Sequence, residues 1–529
     1  MSGASRTRQL PSGSVESVDR AGWSCQVDAL VTKNLELLWS RKVPSILIVA
    51  IPSVFVVLVA VLQHVVQVNH APDNPLEGDL AVVEVGGAIL TIGAMLSTII
   101  QVNLLCSEKQ RGLTSYARMV GMQESAYWVA NYCMFAATSA VTAVLMVLVG
   151  LCTRVDPFTV GNSLVLGLIY AVFFMAQSAM ACYVSSFMTR PTVINLFTFF
   201  LFGFASASAF VQNLNPFILD TIYAAPHEWS WFSLGVLPLM PWMSFCRVFD
   251  ELARQTTVFG TPFSWSELTA PGTYYEAGFP NGKATDSDGN INPAFYAPSG
   301  LVSLLTLAGA LPYFFVLAWW SSQTFGQEFR KRFFFPCTPS YWGCTRGPAA
   351  AAAGDQIYEE KLTSGRSGSI RVHKLSKSFK TVSALKEVSL AMEKDRIFTL
   401  LGHNGAGKTT LLNTLTGLHD PTFGEAFVCG HSVRTEMPAI QRLMGICPQH
   451  DVLWEDLTAR QHLRFYARFK GIARDQCDDY VRSAIIQFGL EAEADLRAGT
   501  FSGGMKRRLS VAISSMGDPR VCYLDEPST

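Results

Sequence analysis

A bundle of membrane-spanning helices followed by a soluble α/β domain is the fold class predicted by this 529-residue sequence. Three observations carry the prediction. The composition is 49% hydrophobic and only 16% charged, too apolar for a single soluble domain of this length. The apolar residues gather into runs of about 20 or more within the first 321 positions. Beyond residue 370, short β-type runs alternate with helical stretches, the pattern of an α/β domain.

In hydrocarbon every backbone amide must be bonded within its own segment, so about 20 mostly apolar residues are needed per helix. Residues 43–66, 80–106, 126–151, 160–185, 192–211 and 300–321 meet that requirement. A seventh apolar run, 229–249, contains Pro238 and Pro241 and is interrupted by polar residues; it reads as a re-entrant or interfacial hairpin. The expected organisation is a cytosolic segment 1–42, a transmembrane domain 43–321, a cytosolic linker 322–369 and a nucleotide-binding domain 370–529. The linker rests on Gly347-Pro348, the alanine run 349–353 and the Gly/Ser-rich 363–369.

Basic residues in short connections set orientation. Lys33, Arg41 and Lys42 precede the first span, Lys109, Arg111 and Arg118 follow the second, Arg190 follows the fourth, and Arg330, Lys331 and Arg332 follow the sixth. The intervening loops hold few, so a multi-pass protein with both termini cytosolic is expected, and the loop 253–297 faces the other side without an N-x-[ST] acceptor. Trp39, Trp128, Trp319 and Trp320 fall at predicted helix ends, where rings sit among headgroups. Glu84 and His64 lie close to the outer interface, where hydration or snorkelling accounts for them better than a transport role. Residues 106–125 form either a solvated connector or a helix that docks on the nucleotide-binding domain.

Several classes are disfavoured. With 41 basic and 41 acidic residues there is no positive excess for nucleic acid. Twelve cysteines lack paired C-x-x-C spacing and read as reduced thiols, and a Cys152–Cys246 disulfide is disfavoured. Residues 1–30 are polar, without a signal-peptide core, and Met1-Ser2 excludes an N-myristoylation start.

The segment Gly402-His403-Asn404-Gly405-Ala406-Gly407-Lys408-Thr409-Thr410 contains G-x-x-x-x-G-K-[ST], preceded by an expected strand over 397–401 and followed by an expected helix over 408–415. The glycines let the backbone curl so that successive N–H groups face phosphate oxygens at a helix N-terminus. Lys408 would reach the β- and γ-phosphates and Thr409 would coordinate Mg²⁺. A bare glycine turn is the structural alternative. At the far end, Val521-Cys522-Tyr523-Leu524 suits a buried parallel strand that delivers Asp525 and Glu526 to its ligand-binding edge. Asp525 would hold Mg²⁺ through water, and Glu526 would orient or deprotonate the attacking water.

Phe501-Ser502-Gly503-Gly504-Met505, just before that strand, resembles the signature sequence of ABC transporter ATPases, with Phe501 and Met505 in place of the usual Leu and Gln. The phosphate loop Gly402–Thr410, the stretch Cys447-Pro448-Gln449-His450-Asp451, residues 463–471, Met505-Lys506-Arg507-Arg508-Leu509-Ser510 and Pro339-Ser340-Tyr341-Trp342 resemble the A subfamily, so the resemblance covers both halves. It implies a type V exporter-like membrane domain with an ABC ATPase domain, ATP and Mg²⁺ as cofactors, and ATPase activity coupled to movement of lipid or another amphipathic substrate. It further implies that Phe379 stacks on adenine, that Gln449 contacts Mg²⁺ and γ-phosphate, and that Ser502, Gly503 and Gly504 bind the γ-phosphate held by a second ABC half. An ATP-binding membrane regulator or scaffold with little turnover is the alternative, and a membrane-tethered GTPase leaves Ser502-Gly503-Gly504 unexplained. Two departures stand out. The first loop, 67–79, is too short for the subfamily's large external domain, and Thr529 precedes the family's D-loop and γ-phosphate-sensing histidine, so a C-terminally truncated domain, unable alone to complete hydrolysis, is expected.

Overall fold

The computed structural model describes residues 22–69, 75–188, 191–214, 240–253, 255–256, 263–269, 300–324, 368–379 and 382–527. The chain divides into two compact units. One is built from Arg41–Gln110 and Asn131–Ser322; the other from Met1–Ser40, Arg111–Ala130 and Gln323–Thr529.

The helices in order are α1 (Trp23–Ser40), α2 (Lys42–Asn69), α3 (Pro75–Gln110), α4 (Leu113–Met119), α5 (Glu124–Thr153), α6 (Asp156–Thr159), α7 (Ser163–Phe187), α8 (Pro191–Leu214), α9 (Pro241–Ala253), α10 (Trp265–Thr269) and α11 (Gly300–Thr324). Among the described residues five segments are long and apolar enough to cross a membrane, namely Lys42–Val65, Val85–Gln110, Glu124–Thr153, Ser163–Phe187 and Gly300–Thr324. The stretch expected at 192–211 is helical as α8, with a shorter apolar run Leu196–Ala207. Of the region read as a hairpin, 241–249 is helical within α9, Met240 is a bend, and 229–239 lies outside the described residues, as do most of the linker and of loop 253–297.

Within the membrane-type unit, α3 packs against α2, α7, α8 and α9. Close approach is set by small residues: a β-carbon on Gly93 would meet the Phe55 ring at 2.9 Å. Aromatic rings fill the space around α7 and α9, with Phe173 and Phe245 stacked at 4.0 Å between centroids and Phe158 and Tyr170 at 5.9 Å. On α2, by contrast, Val43, Ile46, Val54 and Val61 are exposed, an outward apolar face of the kind that suits lipid. Some polar groups are paired. Gln63 Nε2 donates to Asp156 at 2.9 Å, and the Lys109 ammonium donates to the Ser185 carbonyl and, at 3.0 Å, to that of Ser186. These are last-turn carbonyls of α7, which a cation satisfies favourably. Cys152 and Cys246 are both free thiols. Exposed His64 makes no use of the bundle interior, and the side chain of Glu84 lies outside the described residues.

The other unit carries β1 (Gly368–Phe379), β2 (Val382–Glu393), α12 (Lys408–Leu415), β3 (Phe423–Val428), β4 (His431–Ser432), α13 (Met437–Leu443), β5 (Met444–Cys447), α14 (Ala459–Phe469), α15 (Arg474–Gln487), α16 (Gly503–Ser514) and β6 (Val521–Leu524). An antiparallel sheet runs in the order β2-β1-β3-β4, and β5 pairs with β6 in parallel, Cys447 opposite Leu524. Here the strand expected at 397–401 is absent. The segment has no strand pairing, and Ile397, Phe398 and Leu401 are exposed. An apolar β-type run becomes a strand only through ladder partners, and no described strand pairs with it.

Two further helices belong to this unit. Residues 106–125 contain the docking form of the connector: α4 buries Tyr116, whose hydroxyl donates to the Ile446 carbonyl of β5 at 2.8 Å and whose ring meets Tyr466 of α14 edge-on at 5.8 Å. Helix α1, within a segment read from sequence only as polar and cytosolic, packs along α14. Its buried residues Gln26, Ala29, Leu30, Lys33, Asn34 and Leu37 follow helical spacing but are half polar. Arg468 pairs with Asp28 and donates to Thr32 at 3.3 Å, and the Lys33 ammonium lies 5.0 Å from the Trp454 ring centroid. Gln26 both donates to the Gly121 carbonyl at 3.1 Å and accepts from the Gln123 N–H at 3.0 Å, which fixes the turn between α4 and α5. Trp128, expected among headgroups, is instead 2% exposed at the start of α5, because this end of the helix is packed in the unit that also holds α1 and α4.

Candidate nucleotide site

The phosphate loop is shaped by two left-handed glycines, Gly405 at φ 84° and Gly407 at φ 90°. At Gly407 a β-carbon would lie 2.7 Å from the Ala384 carbonyl oxygen and 2.9 Å from Leu385, so only glycine fits. Gly407 is also the N-cap of α12, whose first N–H groups face the loop. The Lys408 ammonium bonds back to the Gly402 and His403 carbonyls at 2.6 and 3.1 Å, and the His403 ring nitrogen Nδ1 lies 2.9 Å from the Asn404 carbonyl oxygen. Asn404, Gly405 and Ala406 complete the open curve, with Thr410 following Thr409 in the first turn.

Asp525 and Glu526 follow β6 and meet this loop from the parallel pair. Thr409 Oγ1 donates to Asp525 Oδ2 at 3.5 Å, and the Asp525 N–H donates to the Cys447 carbonyl at 2.9 Å. Gln449, just past β5, donates through Nε2 to Glu526 Oε2 at 3.2 Å. The parallel register therefore brings Gln449 beside Asp525 and Glu526 on one edge, where such sheets bind ligands, and Thr409 of α12 meets Asp525 there.

This donor set fits Mg²⁺ with a phosphate ligand. Mg²⁺ takes oxygen ligands, retains several waters and leans on one or two protein groups plus phosphate oxygens. A hydroxyl beside a carboxylate, next to a loop of N–H donors, supplies that combination. A cage of three or more His, Cys, Asp or Glu side chains does not occur among the described residues, and this mode of binding does not need one.

Phe379 sits at the end of β1, 39% exposed, with the His419 ring edge-on at 5.0 Å and the Lys377 ammonium 5.1 Å from its centroid. A half-open aromatic face is thus available to a planar base. Ser502 caps α16, its hydroxyl accepting from the Met505 N–H at 3.3 Å. The three residues Ser502, Gly503 and Gly504 are exposed, and a β-carbon on either glycine would meet nothing within 4 Å. They lie at an open helix start of their own, without a hydrogen bond to the Gly402–Thr410 loop. Phe501 is buried, so its departure from the usual signature is absorbed by the core and leaves that surface untouched.

Sequence reasoning missed Arg507. It is 5% exposed and lies one turn into α16. Its guanidinium donates to the carbonyls of Pro448 at 2.5 Å, Gln449 at 3.4 Å, Asp525, and Glu526 at 2.6 Å, and pairs with Asp451 at 3.6 Å. The signal available was its place on the buried stripe with Ser510 and Ser514, which marks an inward-facing charge rather than part of a solvated basic run.

A family model of the ABC transporter ATP-binding domain, described as ABC transporter, matches residues 385–529, which hold the site just described except Phe379. The model described as ABC-2 family transporter protein matches residues 42–320, more than half of the chain. The chain belongs to the ABC-2 family of transporter proteins. Among relatives, ABC transporter A family member 1 of Dictyostelium discoideum is 29% identical over 87% of this chain and 53% of its own length. ABC transporter A family member 2 of Arabidopsis thaliana is 29% identical over 88% of this chain and 50% of its own length. The human phospholipid-transporting ATPase ABCA3 is 28% identical over 80% of this chain and 24% of its own length. This ABC-2 family chain thus spans about half the length of the first two relatives, with A-subfamily likeness running through both its membrane helices and its ATPase domain.

Proposed function

We propose that this ABC-2 family chain binds Mg·ATP at Gly402–Thr410, Gln449 and Asp525 and uses its hydrolysis to drive movement of a lipid or another amphipathic molecule across or out of a membrane. The observation that carries the reading is the meeting of Thr409 with Asp525 and of Gln449 with Glu526 beside the phosphate loop. In this reading Lys408 exchanges its two loop carbonyls for β- and γ-phosphate oxygens, and the loop N–H groups take the remaining charge. Mg²⁺, when bound, neutralises phosphate charge. Phe379 stacks on adenine. Glu526 accepts a proton from, or orients, the attacking water, while Gln449 holds the carboxylate in place.

The exposed start of α16 supports a second ABC half as partner, because Ser502, Gly503 and Gly504 present free N–H groups to a phosphate that their own loop does not hold. The amphipathic substrate rests on the A-subfamily likeness, which includes a phospholipid-transporting ATPase.

Hydrolysis by the full-length protein in lipid nanodiscs tests the reading. Wild type should turn over ATP, while Glu526→Gln should retain nucleotide and lose turnover. Equal rates for the two would sink it in favour of an ATP-binding regulator.

A further inference from the structure

We propose that Arg507 is a positioning residue that holds the Gln449 and Glu526 loops in catalytic register, an inference that rests on the ATPase reading of this site. One side chain bonds four carbonyls on two segments far apart in sequence: Pro448 and Gln449 after β5, Asp525 and Glu526 after β6. The two segments leave the parallel pair side by side, and the last ladder bond between the two sides runs from the Asp525 N–H to the Cys447 carbonyl at 2.9 Å. Arg507 replaces the ladder at the point where it ends.

The backbone geometry points the same way. Glu526 adopts φ 46°, in the left-handed region that a residue with a β-carbon avoids. Such strain persists only when the surroundings over-determine it. The bond from Arg507 to the Glu526 carbonyl, at 2.6 Å, is placed to do so. A second layer fixes Arg507 itself: Asp451 pairs with it at 3.6 Å and accepts from the Ser510 hydroxyl at 2.9 Å. Ser510 lies one turn further along α16.

The planar guanidinium matters because it offers five donors in a fixed fork, whereas a lysine ammonium offers three from one point and cannot span two loops in the same way. Because α16 opens with Ser502-Gly503-Gly504, Arg507 also joins the exposed surface offered to a second half with the carboxylate that acts in this half. Movement of that helix start is carried to Glu526 through one side chain.

The test uses the full-length protein in lipid nanodiscs, with kcat and KM for Mg·ATP and binding of a fluorescent ATP analogue measured for Arg507→Ala and Arg507→Lys. Arg507→Ala should lower kcat about 10- to 100-fold, the range expected from a displacement of about 1 Å in a reacting group. KM and analogue affinity should stay within about threefold, since the phosphate loop is untouched. Arg507→Lys should recover only part of kcat. Wild-type kcat in either variant overturns the proposal, and so does a parallel loss of kcat and nucleotide affinity in Arg507→Ala, which marks a general folding role. If Arg507→Ala does not fold, Arg507→Lys carries the decision alone. Failure of the ATPase reading is distinguishable, because Glu526→Gln would then match wild type, whereas failure of this inference leaves Glu526→Gln inactive.

Discussion

Gln449 donates its side-chain amide to the carboxylate of Glu526 at 3.2 Å across 77 positions of sequence. The bond makes the orientation of that carboxylate depend on the loop after β5. Gln449→Ala should lower ATP turnover on the order of 10- to 100-fold while nucleotide stays bound. Steady-state kinetics beside equilibrium binding of a fluorescent analogue would check it; unchanged kcat would show that Glu526 orients itself.

Gly407 allows a sharper prediction. A side chain there must adopt φ 90°, at a cost of about 1–2 kcal/mol, and must also displace the Ala384 carbonyl from 2.7 Å. Gly407→Ala should therefore abolish nucleotide binding, whereas Gly503→Ala, at a site with open space, should leave binding intact. Analogue titrations on both variants separate local strain from a general effect of losing glycine.

Tyr116 ties α4 to β5 by a hydroxyl and to α14 by a ring, so its two substitutions should differ. Tyr116→Phe removes one donor from a buried carbonyl and should cost about 1–3 kcal/mol. Tyr116→Ala also removes the packed ring and should cost about 3–5 kcal/mol. The order of thermal unfolding midpoints, wild type above Phe above Ala, is the readout, and equal midpoints for the two variants would assign the whole effect to the hydroxyl.

His462 should make this unit acid-sensitive. Its Nε2 accepts from the Trp454 N–H at 3.0 Å, Nδ1 donates to the Thr458 carbonyl at 2.8 Å, and burial pushes its pKa down to about 4 from 6.5. The unfolded chain thus binds the proton more readily, so the stability is fully present above pH 6.5 and is lost as pH falls toward 4. At pH 5.5 the loss should be about 1.4 kcal/mol. Unfolding midpoints between pH 7.5 and 5.5 should fall less for His462→Gln, which keeps an acceptor but cannot titrate. Parallel slopes would remove His462 from the acid response.

The phosphate loop was legible in the sequence because its geometry is local: Gly405 and Gly407 need positive φ whatever surrounds them. The parallel strand Val521–Leu524 was legible for a related reason, since four apolar residues before Asp525 favour a strand, although the expected burial holds for Tyr523 and not for Cys522 and Leu524, which are exposed. Residues 397–401 look equally strand-like and form none, because a strand is a property of its neighbours. Tyr116 could not be read, as its partner Ile446 lies 330 positions away, whereas Arg507 was passed over as part of a basic run although its inward stripe with Ser510 and Ser514 was there to be read. Helix α1 escaped notice because Gln26, Lys33 and Asn34 occupy its inward stripe, and a hydropathy period weakens when half the buried face is polar.

That polar inward stripe bears on how the protein can be cut for study. An ATPase fragment beginning at residue 370 follows the chain order but discards α1 and α4, and so strips cover from Trp454, Tyr466 and Arg468, all at most 6% exposed in the folded unit. Such a fragment would present aromatic surface and an orphaned guanidinium to solvent and would be prone to self-association. Residues 22–40 and 111–130 supplied as a fused or co-expressed piece should restore solubility, because the fold boundary encloses three stretches of chain that no single cut preserves.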